Sequence, residues 1–224
     1  MAQPQSVNIT VDELRQVSGL LQVPDAARAC YVLAHGAGAG MSHPFMASVA
    51  NGLAERGIAS LRYQFPYMEQ GGKRPDAPKL AQATVRAAID EATRLVPGLA
   101  LFAGGKSFGG RMTSQAQAAS QLPGVRGLVF LGFPLHPAGM PSASRAEHLS
   151  DIRLPMLFLQ GARDKLADLS LLRPVCRTLK ATTLHVVDDA DHSFHVPARS
   201  GRNDQQVREE IEAVLVAWSI RITR

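Results

Sequence analysis

Ser107, Asp164 and His192 follow one another in chain order, each in a short turn that closes an apolar run. A serine hydroxyl is a poor nucleophile near neutral pH unless a base takes its proton. An imidazole acting as that base needs a carboxylate to fix its tautomer and stabilise its cation. Ser107 stands in Gly105-Lys106-Ser107-Phe108-Gly109, a G-x-S-x-G string whose flanking glycines allow close backbone packing while the serine takes a strained turn with its hydroxyl exposed. Glycine-rich turns also bind phosphate, but G-x-x-x-x-G-K-[ST] requires a glycine five residues before Gly105, where Ala100 stands. The chemistry on offer is nucleophilic attack on a carbonyl.

Each assignment has a plainer rival. Asp164 lies in Gly161-Ala162-Arg163-Asp164 and would serve equally as a turn residue paired with Arg163 or Lys165; Asp168 is the fallback acid, inside a predicted helix. His195 and His185 compete with His192 as base, although the loop Asp191-His192-Ser193 favours His192. No carboxylate or cysteine at ligand spacing completes a metal site around His192 and His195, so no metal or other cofactor is expected. His35 reads as a base or, more simply, as a brace for its own loop. His43 and His136 sit in strand-end loops and either line a pocket or face solvent. Lys106 either raises the local positive potential or pairs with an acid, and Tyr67, Glu69, Lys73 and Arg74 either contact substrate or are solvated. Met41, Met46, Met68 and Met112 read as packing.

These residues need a scaffold that brings distant turns together. Apolar runs at 29–34, 58–63, 99–103, 127–133, 155–160 and 183–187 read as buried strands, and helical patterns at 44–56, 79–96, 108–120, 166–180 and 204–220 alternate with them. The alternation predicts a mostly parallel sheet with helices on both faces, in which ligands bind at the carboxyl ends of the strands. The loosely alternating stretch 7–23 predicts one or two antiparallel edge strands, and 64–78, with its prolines and paired glycines, reads as a surface loop. The helix after Ser107 would aim its N-terminal amides at the serine.

At 224 residues the chain suits one α/β domain, 1–224, better than two. With 46% hydrophobic and 19% charged residues it is of ordinary globular composition, and no apolar run approaches the ~20 residues of a membrane span. The net charge of +5 is scattered rather than clustered with aromatics, which argues against nucleic acid as a partner. Cys30 and Cys176 read as buried small hydrophobes. Nothing in residues 1–6 reads as a secretion signal, so a cytoplasmic location is expected.

The order serine, acid, histidine is that of an α/β-hydrolase sheet. The chain resembles the small, dienelactone-hydrolase-like α/β-hydrolases in His35-Gly36-Ala37-Gly38, the elbow GGKSFGGR, the acid turn GARD and the histidine turn DADHSF, in order from about residue 29 onward. The strings RYQFPYM, GGKSFGGR and FPLHPAG further resemble a subgroup of hydrolase-like proteins described as testis-expressed or chromatin-complex members. The resemblance implies an oxyanion hole built from the backbone amides of Ala37 and Phe108; the strand-end loops themselves place a candidate pocket near His35, Gly36, Gly38, His43, Tyr67, Lys106 and His136. Dienelactone hydrolases proper carry a cysteine where Ser107 stands, so their lactone substrate does not transfer. The expected activity is hydrolysis of a small carboxylic ester through an acyl-enzyme at Ser107. Thioester or amide hydrolysis, or a noncatalytic scaffold on the same fold, are the alternatives. The stretch between Phe133 and Asp151 is too short for a large helical cap, which predicts an open, shallow site.

Overall fold

The computed structural model describes residues 2–224. Eight strands form one sheet in the order β1-β2-β4-β3-β5-β6-β7-β8. Their spans are β1 Gln5–Asp12, β2 Arg15–Gln22, β3 Ala29–Ala34, β4 Ile58–Tyr63, β5 Ala100–Lys106, β6 Val125–Leu131, β7 Met156–Gly161 and β8 Thr182–Val187. The β1–β2 hairpin is antiparallel and joins β4 antiparallel, whereas every pair from β4 to β8 is parallel. β3 and β5 are buried along nearly their whole length, as strands covered on both faces must be.

Helices α1 (Pro44–Glu55) and α6 (Asp204–Thr223) cover one face, packing Met46, Val49 and Leu53 with Ile211, Leu215 and Trp218. On the other face lie α3 (Pro78–Leu95), α4 (Phe108–Ala119) and α5 (Leu169–Thr178), through residues such as Val85, Met112 and Leu172. α2 (Pro66–Glu69) is a single turn within the stretch that reads as loop, started by a proline at its first position.

Several boundaries differ from the sequence expectation; β5, expected to end at 103, runs on through Gly104 and Gly105 to Lys106, because glycines without a Cβ can stay in the sheet against the Val129 and Ala34 backbone. The helix expected over 166–180 begins only at Leu169, because the Asp168 carboxylate accepts from the Ser170 N–H and caps it. Asp168 therefore lies at a helix cap rather than inside a helix. β6 starts at Val125 and ends at Leu131, so Gly132 and Phe133 already belong to the turn. Between β6 and β7 there is coil and one 3-10 helix, Ser144–Asp151, and no helical cap.

The chain runs from β3 outward to β4 and then returns past β3 to β5. The connections leaving β3 and β5 thus diverge to opposite sides, and a crevice opens beyond their carboxyl ends. The loop of Gly36 and the turn of Ser107 form its two lips.

Candidate active site

Ser107 holds φ 49° and ψ −113°, a backbone conformation that a residue with a side chain rarely adopts. The turn is sharp because β5 passes directly into α4, and its glycines make this possible. A Cβ on Gly105 would stand 2.1 Å from the Ala34 carbonyl oxygen, and one on Gly109 would stand 2.6 Å from both Ala34 Cβ and the His35 oxygen. α4 starts at Phe108 with no acidic residue in its first turn, so its positive end faces the serine unopposed.

Ser107 Oγ lies 2.8 Å from His192 Nε2, and His192 Nδ1 lies 2.6 Å from Asp164 Oδ2. Because the carboxylate only accepts, Nδ1 carries the proton, and the serine hydroxyl donates to Nε2. Asp164 is held on both oxygens: Oδ1 accepts from the Leu166 N–H at 2.7 Å, and Oδ2 also accepts from Gln160 Nε2 at 2.5 Å. Gln160 is fully buried and takes the Phe133 N–H on its Oε1 at 2.9 Å, tying the acid turn to the end of β6. His192 follows β8 in a turn closed by Asp191, whose carboxylate accepts from the N–H groups of Ser193 and His195. These contacts permit proton transfer from serine to histidine with the acid fixing the ring.

The serine opens into a cavity of about 320 Å³ lined by Gly36, Ala37, Ala39, His43, Phe45, Met46, Lys106, Leu166, His192 and Ser193. Its walls are mainly apolar, and none come from 134–151. Among the described residues, the amides of Ala37 and Phe108 donate to no protein acceptor. A larger groove, about 480 Å³, lies between α1 and α6, but no histidine lines it to activate its one serine, Ser48, and its buried carboxylate, Glu212, is paired with Arg56 at 3.1 Å.

Other expected pocket residues sit elsewhere. His35 is buried; its Nε2 accepts from the Phe65 N–H at 3.0 Å and Nδ1 meets the Gly36 carbonyl at 2.8 Å, so it braces the loop. Burial holds its pKa down to about 4, favouring the neutral ring. The Tyr67 hydroxyl accepts from the Gly38 N–H at 3.0 Å, which occupies that amide, and neither residue lines the cavity. His136 Nε2 accepts from the Asp168 N–H at 2.9 Å, behind the acid turn and outside the cavity. His43 and Lys106 do line the cavity, and His43 also caps α1 by accepting from the Phe45 N–H. Of the rival bases, His195 faces Asp204 at 2.9 Å and His185 faces Glu210 at 2.6 Å.

Sequence reasoning passed over Gln160, Phe45 and Leu166, and read Met46 as packing only. Gln160 carried a signal: it is the one polar residue in the apolar run 155–160.

A mostly parallel sheet with a strained serine between strand and helix, facing a histidine from the far edge, is the architecture of an α/β-hydrolase fold. The chain belongs to the alpha/beta hydrolase domain family, whose sequence profile matches residues 27–219. Its fold is similar to that of a dienelactone hydrolase from Anabaena variabilis, at 22% identity over 98% of each chain and a TM-score of 0.75. It is also similar to a serine hydrolase without lid from Xanthomonas campestris, at 20% identity over 96% of this chain and 95% of that one, with a TM-score of 0.74. A third, Est1E from Butyrivibrio proteoclasticus, shares 14% identity over 95% and 98% of the two chains, with a TM-score of 0.72, and has also been solved with ferulic acid bound. At these identities the likeness is one of fold. Among the described residues no helix is long and apolar enough to cross a membrane.

Proposed function

We propose that this α/β hydrolase cleaves small carboxylic esters through an acyl-enzyme at Ser107. The observation that carries the reading is the continuous contact from Asp164 through His192 to Ser107, at 2.6 and 2.8 Å, at the floor of an apolar-walled cavity. Ser107 Oγ attacks the ester carbonyl carbon as its proton passes to His192 Nε2, and Asp164 stabilises the imidazolium. The amides of Phe108 and Ala37 receive the oxyanion, each contributing about 2.7–4 kcal/mol by analogy with single-donor deletions. The tetrahedral intermediate collapses as His192 gives its proton to the leaving alkoxide. Water activated by the same imidazole then attacks the acyl carbon and frees the serine.

The substrate class rests on chemistry and on volume. An ester has a better leaving group than an amide, and a cavity of about 320 Å³ accommodates a small acyl group. The names of two fold neighbours, a dienelactone hydrolase and a protein solved with ferulic acid, support a carboxylic substrate without specifying it. The closer resemblance to testis-expressed and chromatin-complex hydrolase-like proteins and a cytoplasmic location belong to the same proposal.

A fluorophosphonate probe tests the reading without knowledge of the substrate, because it needs only an activated serine. The wild type should gain one adduct at Ser107 by intact mass, and Ser107→Ala and His192→Ala should resist labelling. A folded wild type that stays unlabelled would favour a scaffold role. After labelling, parallel ester, thioester and amide panels separate the three hydrolytic activities.

A further inference from the structure

Lys106 takes no part in the mechanism above. It ends β5, one residue before Ser107, and its stem runs across Gly36, whose added Cβ would lie 3.4 Å from Lys106 Cγ. The residue is only 9% exposed. Among the described residues no carboxylate forms an ion pair with it, and its one hydrogen bond runs 2.5 Å from Nζ to the main-chain carbonyl of His192. A buried, unpaired ammonium is costly to keep. This one is kept against the backbone of the residue that carries the imidazole.

The surroundings show what the contact fixes. The internal bonds of the Asp191 turn set its shape but not its distance from the serine. The Arg163 N–H ties the turn to the end of β7 through the Ala190 carbonyl at 2.8 Å. Lys106 ties it to β5, the strand that presents Ser107. Gly132 leaves the room needed: at φ +70°, a Cβ there would stand 3.1 Å from Lys106 Nζ and 3.4 Å from His192 Nδ1, so ammonium and imidazole flank the same gap. The Phe194 ring closes another side, its centroid 5.5 Å from Nζ.

We propose that Lys106 is a positioning residue for the base: by holding the His192 carbonyl it keeps the imidazole between Asp164 and Ser107 while the ring gains and loses its proton. The inference rests on the hydrolase reading. The charged groups facing the amine are Asp164 from the end of β7 and Asp191 from the turn, both of which favour the ammonium. Burial opposes them and prevails, bringing the amine down to about 8. Above that pH the bond to His192 loses its charge assistance and weakens.

Lys106→Met keeps the stem and removes donor and charge. The readouts are the rate of fluorophosphonate labelling at Ser107, and kcat and KM for p-nitrophenyl acetate, on both sides of pH 8. In the variant, labelling and kcat should fall roughly ten- to hundredfold, the factor a charge-assisted hydrogen bond is worth. KM should stay within about twofold. The wild-type fall in rate above pH 8 should vanish, and the melting temperature should be no lower than wild type, since an unpaired charge has left the interior. Lys106→Arg keeps a charged donor that does not titrate in this range, so it should retain most of the rate and lose the fall above pH 8. Wild-type kinetics in Lys106→Met at every pH, a rise in KM alone, or a Lys106→Arg variant no faster than Lys106→Met overturns the brace while leaving the hydrolase reading intact. A folded wild type that never labels overturns the hydrolase reading, and the brace with it.

Discussion

Gln160 and His192 donate to the same oxygen of Asp164, at 2.5 and 2.6 Å. The carboxylate is thus oriented from two sides by groups 32 residues apart in the chain (192 − 160), and only one of them, His192, also meets Ser107.

Gln160→Leu removes one of those donors and orphans the Phe133 N–H. Stability should fall by about 1–3 kcal/mol, the cost of an unsatisfied buried polar group, and labelling of Ser107 by about tenfold. Gln160→Glu should be worse in both respects, because two carboxylates would then crowd one site. Urea midpoints and labelling rates measured side by side check this; a Leu variant with wild-type rates would show that Asp164 needs no second donor.

Strain at Ser107 should be visible in stability. Ser107→Gly removes the side chain from a conformation costing on the order of 1–3 kcal/mol, and the gain should exceed glycine's entropic penalty by about 1 kcal/mol. Ser107→Ala keeps the Cβ and should show no such gain. Both variants should be inert to the probe, so comparing their urea midpoints isolates the backbone contribution.

Tyr67→Phe deletes the acceptor that holds the Gly38 amide. Gly38 is exposed, so water replaces the hydroxyl and stability should change by less than about 1 kcal/mol. The loop carrying the Ala37 amide loses its anchor, however, and kcat should fall several-fold with little change in KM. An unchanged kcat would mean that the His35 brace alone fixes this loop.

Acid should loosen the fold through two histidines. Burial holds His35 and His148 down to about 4, the second also opposed by the charge of Arg111, whereas an unfolded histidine titrates near 6.5. Between those values the unfolded chain binds more protons than the native one, so stability is full above pH 6.5 and is lost as pH falls towards 4. For His35 the loss is on the order of 2–3 kcal/mol. Urea midpoints at successive pH values should show the slope, and His148→Asn should flatten it.

The alternation of apolar runs with helical patterns makes the sheet legible in the sequence, because parallel strands buried on both faces leave continuous runs such as 127–133. The neighbourhoods of Ser107, Asp164 and His192 are legible for a similar reason, each lying where an apolar run breaks into a turn. Orientation is not legible. Gly36 to Gly40 reads as a single amide-rich loop, yet Gly38 donates to Tyr67 whereas Ala37 remains free, a distinction set by a hydroxyl 29 residues away. His136 likewise follows a strand end, but its ring turns back to the Asp168 N–H, because a nearly buried imidazole takes the nearest available donor. Helix α5 begins late because Asp168 is an efficient cap, a choice that periodicity alone does not register.

The cavity walls come from the 36–46 stretch, Lys106, Leu166 and the His192 turn, and nothing from 134–151 roofs them. Ser107 is held by the strands, whereas Phe45 and Leu166 lie outside the sheet and participate in none of its pairings. The side chains of Phe45 and Leu166 thus shape the cavity from outside the strands that hold Ser107. Variation at Phe45 or Leu166 can therefore redraw the cavity without disturbing strand register, so a change of diet need not entail a loss of architecture.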